Sequence, residues 1–162
     1  MKILIVTLLL ISNTFSQGKF AGEFKSIIGT KYITEKDIPQ LKNFSYNGGS
    51  IISDLEFLDA YYLSLEVFRK GTTAIVIMSK LVDKTTNQHS IIEVLKIIDV
   101  PKNYEIRISG CTSNSLNPDD KIVAVYYLGH KKKVKLIKEA FVLKDIRFEK
   151  LNTKNINCIN EN

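Results

Sequence analysis

Residues 61–82 read YYLSLEVFRKGTTAIVIMSKLV, and their pattern decides the fold class. Tyr61, Leu63, Leu65 and Val67 alternate with Tyr62, Ser64 and Glu66. A period of two gives a β-strand with one apolar face. Arg69, Lys70, Gly71 and Thr72 interrupt the pattern, glycine supplying a backbone that turns without steric cost. Residues 74–82 resume it, and 74–78 are apolar at every position, as expected of a central strand covered on both faces. Two strands joined by so short a connection are antiparallel, because a parallel crossover needs a dozen or more residues.

Working downstream, residues 84–88 (KTTNQ) read as a surface turn and 91–100 as the next apolar segment. Ile91, Val94, Leu95 and Ile98 also fit one helical face, but the β-branched content and turn-like flanks favour a strand. Pro101, Lys102 and Asn103 break the chain before 104–109, where Tyr104, Ile106 and Ile108 alternate with Glu105, Arg107 and Ser109. Residues 110–120 (GCTSNSLNPDD) read as a polar loop and 121–128 as another buried strand. Val134, Ile137 and Phe141, at i, i+3 and i+7, predict a short helix over 131–138. Residues 141–143 and 147–151 predict a closing hairpin around Lys144 and Asp145.

Upstream, Thr34-Glu35-Lys36-Asp37 has the look of a helix start with an acid three residues on, and Pro39 limits any helix there to a turn or two. Asn47-Gly48-Gly49 predicts a turn between 44–46 and 50–53, because Asn and Gly tolerate positive φ. The expectation is a mainly β fold, with α+β as its variant: an antiparallel meander of about seven to nine strands with one or two short helices. A sandwich or a strongly bent sheet accommodates it.

The 162 residues are 44% hydrophobic and 25% charged, near globular averages, which excludes disordered and collagen-like classes. No apolar run approaches the ~18 residues of a membrane span. Met1 and Lys2 form a basic head, 3–11 are apolar apart from Thr7, and Thr14 and Ser16 sit at −3 and −1 of a cut before Gln17. This is the pattern of an export signal; a short buried first strand is the alternative. Residues 1–16 are therefore expected to be a signal peptide and 17–162 a single globular domain. Removal takes Lys2 and lowers the formal net charge from +6 to +5. No Cys follows the cut, so the expected form is periplasmic or secreted without a lipid anchor.

Cys111 and Cys158 are the only cysteines. An even count in an oxidising compartment predicts one disulfide bond, closing a loop worth about 4 kcal/mol in chain entropy. Free buried thiols or a redox pair are the alternatives, although the spacing is not the C-x-x-C of redox pairs.

The segments 122–125 (IVAV), 137–141 (IKEAF), 148–151 (FEKL) and 158–161 (CINE) resemble small exported proteins of Bacteroidetes-type bacteria. The resemblance covers the C-terminal third. It implies export and the bridge, and it brings no activity with it.

Few residues carry recognisable chemistry. His89 and His130 stand apart in what read as solvated turns, without zinc or copper spacing. Asn117-Pro118-Asp119-Asp120 lacks the ligand spacing of a calcium loop. Neither a G-x-S-x-G nucleophile turn nor a phosphate-cradling glycine motif is present, and Gly48-Gly49-Ser50 belongs to the turn signal. Neither a metal nor a cofactor is called for. Asp54, Glu56, Asp59 and Glu66 are the candidates for a carboxylate pair; an exposed, solubilising strand edge is the plainer reading. Lys131, Lys132, Lys133, Lys135 and Lys138, beside His130, form the candidate anion-binding surface, against a solvated edge that resists aggregation. Of Tyr126 and Tyr127 one must point inward, and the modest charge disfavours nucleic acid as a partner. The preferred expectation is a non-catalytic protein-binding module of an inhibitory or immunity type, with an unknown protein partner and unspecified oligomeric state. An envelope hydrolase with a carboxylate site and an anionic-surface binder are the alternatives.

Overall fold

The computed structural model describes residues 19–52, 62–114, 116, 121–127, 133–134 and 136–159. Among the described residues twelve strands form three antiparallel sheets. The first sheet contains β1 (Lys31–Tyr32), β2 (Ser45–Ile52), β3 (Leu63–Lys70), β4 (Thr73–Asp83) and β5 (Gln88–Ile97), in the order β1-β5-β4-β3-β2. The second, ordered β11-β10-β8-β6, contains β6 (Tyr104–Arg107), β8 (Ile122–Tyr127), β10 (Ile137–Lys144) and β11 (Arg147–Lys150). The third, ordered β7-β12-β9, contains β7 (Cys111–Ser113), β9 (Lys133–Val134) and β12 (Ile156–Ile159). Single 3-10 segments occupy Gly22–Ile27, Glu35–Asp37, Pro39–Leu41 and Thr153–Asn155. The mainly β, antiparallel expectation holds; the additional strands are short pieces of two or three residues at β1, β7 and β9.

β4 is the middle strand of its sheet, and its even-numbered and odd-numbered residues serve different cores. Ala74, Val76 and Met78 join Leu65, Val67, Leu95 and Ile97 against Val123, Val125, Phe141 and Leu143 of the four-stranded sheet. Ile75 and Ile77 face the other way, where Phe24, Ile27, Ile38 and Leu41 of the N-terminal segment cover them. The four-stranded sheet is likewise covered twice, since Ile122, Ala124, Tyr126 and Ala140 pack against Cys111, Ile156 and Cys158 of the third sheet. The result is a layered stack: N-terminal segment, five-stranded sheet, four-stranded sheet, three-stranded sheet. Burying one such aliphatic side chain is worth ~1.5–3 kcal/mol.

Three local expectations are corrected. Asn47-Gly48-Gly49 makes no turn: β2 runs through it, with the register shifting between Tyr46↔Phe68 and Gly49↔Glu66. An extra residue on β2 makes a bulge, with Gly48 at φ 121°. The helix over 131–138 gives way to β9 and the start of β10. β10 lies between β8 and β11, so 140–143 are buried on both faces, and a continuous apolar run fits a buried strand as well as a helix. The polar loop 110–120 contains β7, drawn into the third sheet by pairing with β12.

Turns and connections are set by their own residues. The Asp83 carboxylate accepts from the Thr85 backbone N–H and from the hydroxyls of Thr85 and Thr86, closing the β4–β5 hairpin. These bonds, the Thr85 hydroxyl foremost, hold Asp83 down at about 2. The β10–β11 hairpin turns at Asp145 and Ile146, both at positive φ, the geometry of a two-residue type I′ turn. Arg69, at the end of β3, donates to the carbonyls of Tyr104 (2.7 Å), Pro101 (2.8 Å), Val100 (3.4 Å) and Gly71 (3.1 Å). Its guanidinium thereby fixes the connection that carries the chain from the first sheet to the second.

Candidate functional site

On the outer face of the five-stranded sheet, β3 presents Ser64, Glu66 and Phe68, the set opposite Leu63, Leu65 and Val67. Phe68 is buried under the N-terminal segment, whereas Ser64 and Glu66 are half-buried. β4 adds Ser79, fully buried, at the register position opposite Ser64. β1 supplies Tyr32, paired with His89 of β5, and lays its ring across the sheet. The phenol oxygen lies 2.8 Å from Glu66 Oε2 and 2.8 Å from Ser79 Oγ, which lies 2.8 Å from Ser64 Oγ.

A phenol has one proton to give. The ionised carboxylate is the stronger acceptor, so Tyr32 donates to Glu66, Ser79 donates to Tyr32, and Ser64 donates to Ser79. The chain of hydroxyls ends on a negative charge, each bond polarising the next. Burial pushes the Tyr32 phenol well above its ordinary value; the Glu66 charge adds to this and the Ser79 bond opposes it. Tyr32 is therefore a neutral donor at any physiological pH.

This polar group opens into a cleft of about 310 Å³. Tyr32, Ile33, Thr34 and Glu35 form one wall, Tyr46, Glu66 and Phe68 of β2 and β3 another, and Asn87 and His89 complete the lining. Asp37 braces the first wall by accepting the backbone N–H groups of Ile33 and Thr34, both at 2.9 Å. The same two bonds, Thr34 first, hold its carboxyl below the usual range. Tyr46 is 59% exposed at the rim, its ring edge-on to Phe68 at 5.7 Å. Gly49 leaves room for it, since a Cβ there would come within 2.8 Å of the Tyr46 hydroxyl and 2.9 Å of the Leu65 carbonyl.

His89 is not a solvated turn residue. It lies at the start of β5, its ring is 5.6 Å from that of Tyr32, and its Nδ1 is enclosed without a hydrogen-bond partner among the described residues. Glu66 does not belong to an exposed strand edge either, because β3 lies between β2 and β4. Asp54, Glu56 and Asp59, the other carboxylate candidates, lie outside the described residues, as do 117–120 and His130.

Cys111 and Cys158 are disulfide-bonded, facing each other across β7 and β12. They belong to the third sheet, on the far side of the stack from the cleft. Of the candidate anion-binding residues, Lys138 donates from Nζ to the carbonyls of Ile98 and Asp99. Lys133 lies in β9, and Lys131, Lys132 and Lys135 lie outside the described residues. Tyr126 points inward and Tyr127 outward. Among the described residues no group of three or more His, Cys, Asp or Glu is placed to hold a metal, and no helix is long and apolar enough to cross a membrane.

Sequence reading missed Tyr32, Tyr46 and Ser79. A usable signal existed in the two polar residues Ser64 and Glu66 facing a strand as apolar as β4. Their partner Tyr32 stands 34 residues from Glu66 and 47 from Ser79, beyond the reach of any local pattern. No protein-family model, curated protein or solved structure matches the chain.

Proposed function

We propose that the protein works outside the cytoplasm as a non-catalytic binding module, in which the cleft between Tyr32 and Tyr46 receives a group of a protein partner. The observation that carries this reading is the hydroxyl chain ending on Glu66 at the cleft. A pre-ordered polar floor beneath an exposed aromatic rim suits recognition, in which few placed polar groups orient a ligand in a mostly apolar pocket. Tyr32, kept neutral with its single proton committed to Glu66, offers no base and serves to hold the Glu66 carboxylate in place. Export is supported by the signal-like pattern of 1–16, by the resemblance to small exported proteins and by the disulfide bond.

The test is a photo-crosslinking side chain placed at Tyr46 in the exported protein, with Ile159 on the far side of the stack as control. The expected result is a discrete adduct from position 46 and none from 159. Equal labelling from both positions, or hydrolytic turnover that Glu66→Gln abolishes, would replace this reading.

A further inference from the structure

Glu66 is a charged group that the fold leaves half used. Its Oε2 accepts from Tyr32, and no hydrogen bond or ion pair engages Oε1 among the described residues. The chain carries 23 Lys and Arg against 17 Asp and Glu, and cations elsewhere find carboxylates: Lys96 with Glu23, Arg107 with Glu105, Lys150 with Glu139. Among the described residues no Lys or Arg lines this cleft, although Glu35 and Glu66 both do. Lys31 and Lys36 flank the first wall on exposed positions without entering the lining. A negative, aromatic-walled cleft on a basic protein is a local reversal of the field the chain presents elsewhere.

We infer that the cleft binds an organic cation, a guanidinium or primary ammonium group. This inference rests on the binding reading above and names its ligand. The cation would give one hydrogen bond to Glu66 Oε1, while the ring of Tyr46 covers its apolar flank. Carboxylate and aromatic ring act on the same cation for different reasons, one by charge-assisted hydrogen bonding and the other through the ring quadrupole. The volume lies at the lower end of ligand pockets, which suits a single side chain and not a sugar chain or a nucleotide. The two sources of such a group are an Arg or Lys side chain of a partner protein and a small free amine.

The experiment uses the full exported protein in its disulfide-bonded form, with amide NMR shifts read during titration. The probes are a capped Gly-Gly-Arg-Gly-Gly peptide, the same peptide with norleucine or glutamate at the centre, and agmatine. The expected result is saturable shifts confined to 32–35, 46, 66 and 87–89 with the arginine peptide, and none with norleucine or glutamate. Glu66→Gln, which keeps an acceptor for Tyr32, weakens binding by about tenfold or more. Tyr46→Ala, which alters only the rim, weakens it about threefold or more. Agmatine binding as tightly as the peptide would identify a free guanidine as the ligand; tighter binding of the peptide would identify a side chain. Equal binding of the arginine and norleucine peptides, or arginine binding indifferent to Glu66→Gln, overturns the cation inference while leaving the cleft as a binding site. If no probe shifts the cleft residues, the cation inference fails. The adduct from position 46 then decides separately whether the binding reading stands.

Discussion

Breaking the Cys111–Cys158 bond isolates what holds the outermost layer to the stack. The two residues are direct partners across β7 and β12, and the bond closes a chain segment of 47 residues. Chain entropy for a loop of that size amounts to about 4 kcal/mol. Unfolding entropy of ~2.1 cal/mol/K per residue gives ~0.34 kcal/mol/K for 162 residues. Reduction alone, which leaves both sulfurs in place, should therefore lower Tm by ~12 °C. Cys111→Ala with Cys158→Ala should cost more, because both residues are core, at 9% and 3% exposure beside Ile122, Tyr126 and Ile156. Emptying two such positions adds roughly 1–2 kcal/mol, for a total fall of ~16 °C. Scanning calorimetry with and without reductant reads both numbers. Hydrogen exchange separates local from global effects, with Ile156–Ile159 reporting the third sheet and β4 reporting global opening. A reduced protein melting within ~3 °C of the oxidised one would refute the loop-entropy reasoning. So would a double alanine variant no less stable than the reduced wild type.

Further outcomes rest on single groups. Arg69→Lys should destabilise nearly as much as Arg69→Ala, by about 2–3 kcal/mol, because an ammonium cannot span the carbonyls of Tyr104, Pro101 and Gly71 at once; urea midpoints check it. Tyr32→Phe should cost about 1.5–3 kcal/mol by removing the donor to Glu66 and the acceptor of Ser79, and a cycle with Glu66→Gln should show coupling in chemical denaturation. The folded protein binds the Tyr32 proton more tightly than the unfolded chain, so this contribution is whole below the ordinary tyrosine value of 10.0 and is lost as pH climbs toward the raised one. Stability curves should accordingly fall less steeply above pH ~10 in Tyr32→Phe than in wild type. Carboxyl NMR should place the Asp83 titration midpoint at about 2 and restore it toward the ordinary value in a Thr85→Ala, Thr86→Ala variant. The sign is that of a depressed acid: the hairpin bonds hold above the unfolded value and loosen as pH falls through the folded one.

The strands were legible wherever a pattern was local. Alternation in 61–67 and the unbroken run of 74–78 set the handling of both faces before any partner was known, because side-chain direction in a strand depends only on residue parity. Asn87 and Gly71 likewise mark turns by their own chemistry. The bridge was legible in the cysteine count and the expected compartment. Where both faces of a strand are covered, as in β10, period and helix propensity lose their power to discriminate, and only the neighbouring strands decided the conformation. Asn47-Gly48-Gly49 carried a real signal of positive φ, but pairing along the whole of β3 turned it into a bulge.

The cleft belongs entirely to the tertiary structure. Tyr32, Glu66, Ser79 and His89 lie on four strands, and their meeting depends on a two-residue strand, β1, adding to the free side of β5. Backbone hydrogen bonds and burial of Ile27, Ile38 and Leu41 on the outer sheet face drive that docking, and both are long-range. Sequence determines which residues are polar and which apolar; long-range packing brings four polar ones to a single point.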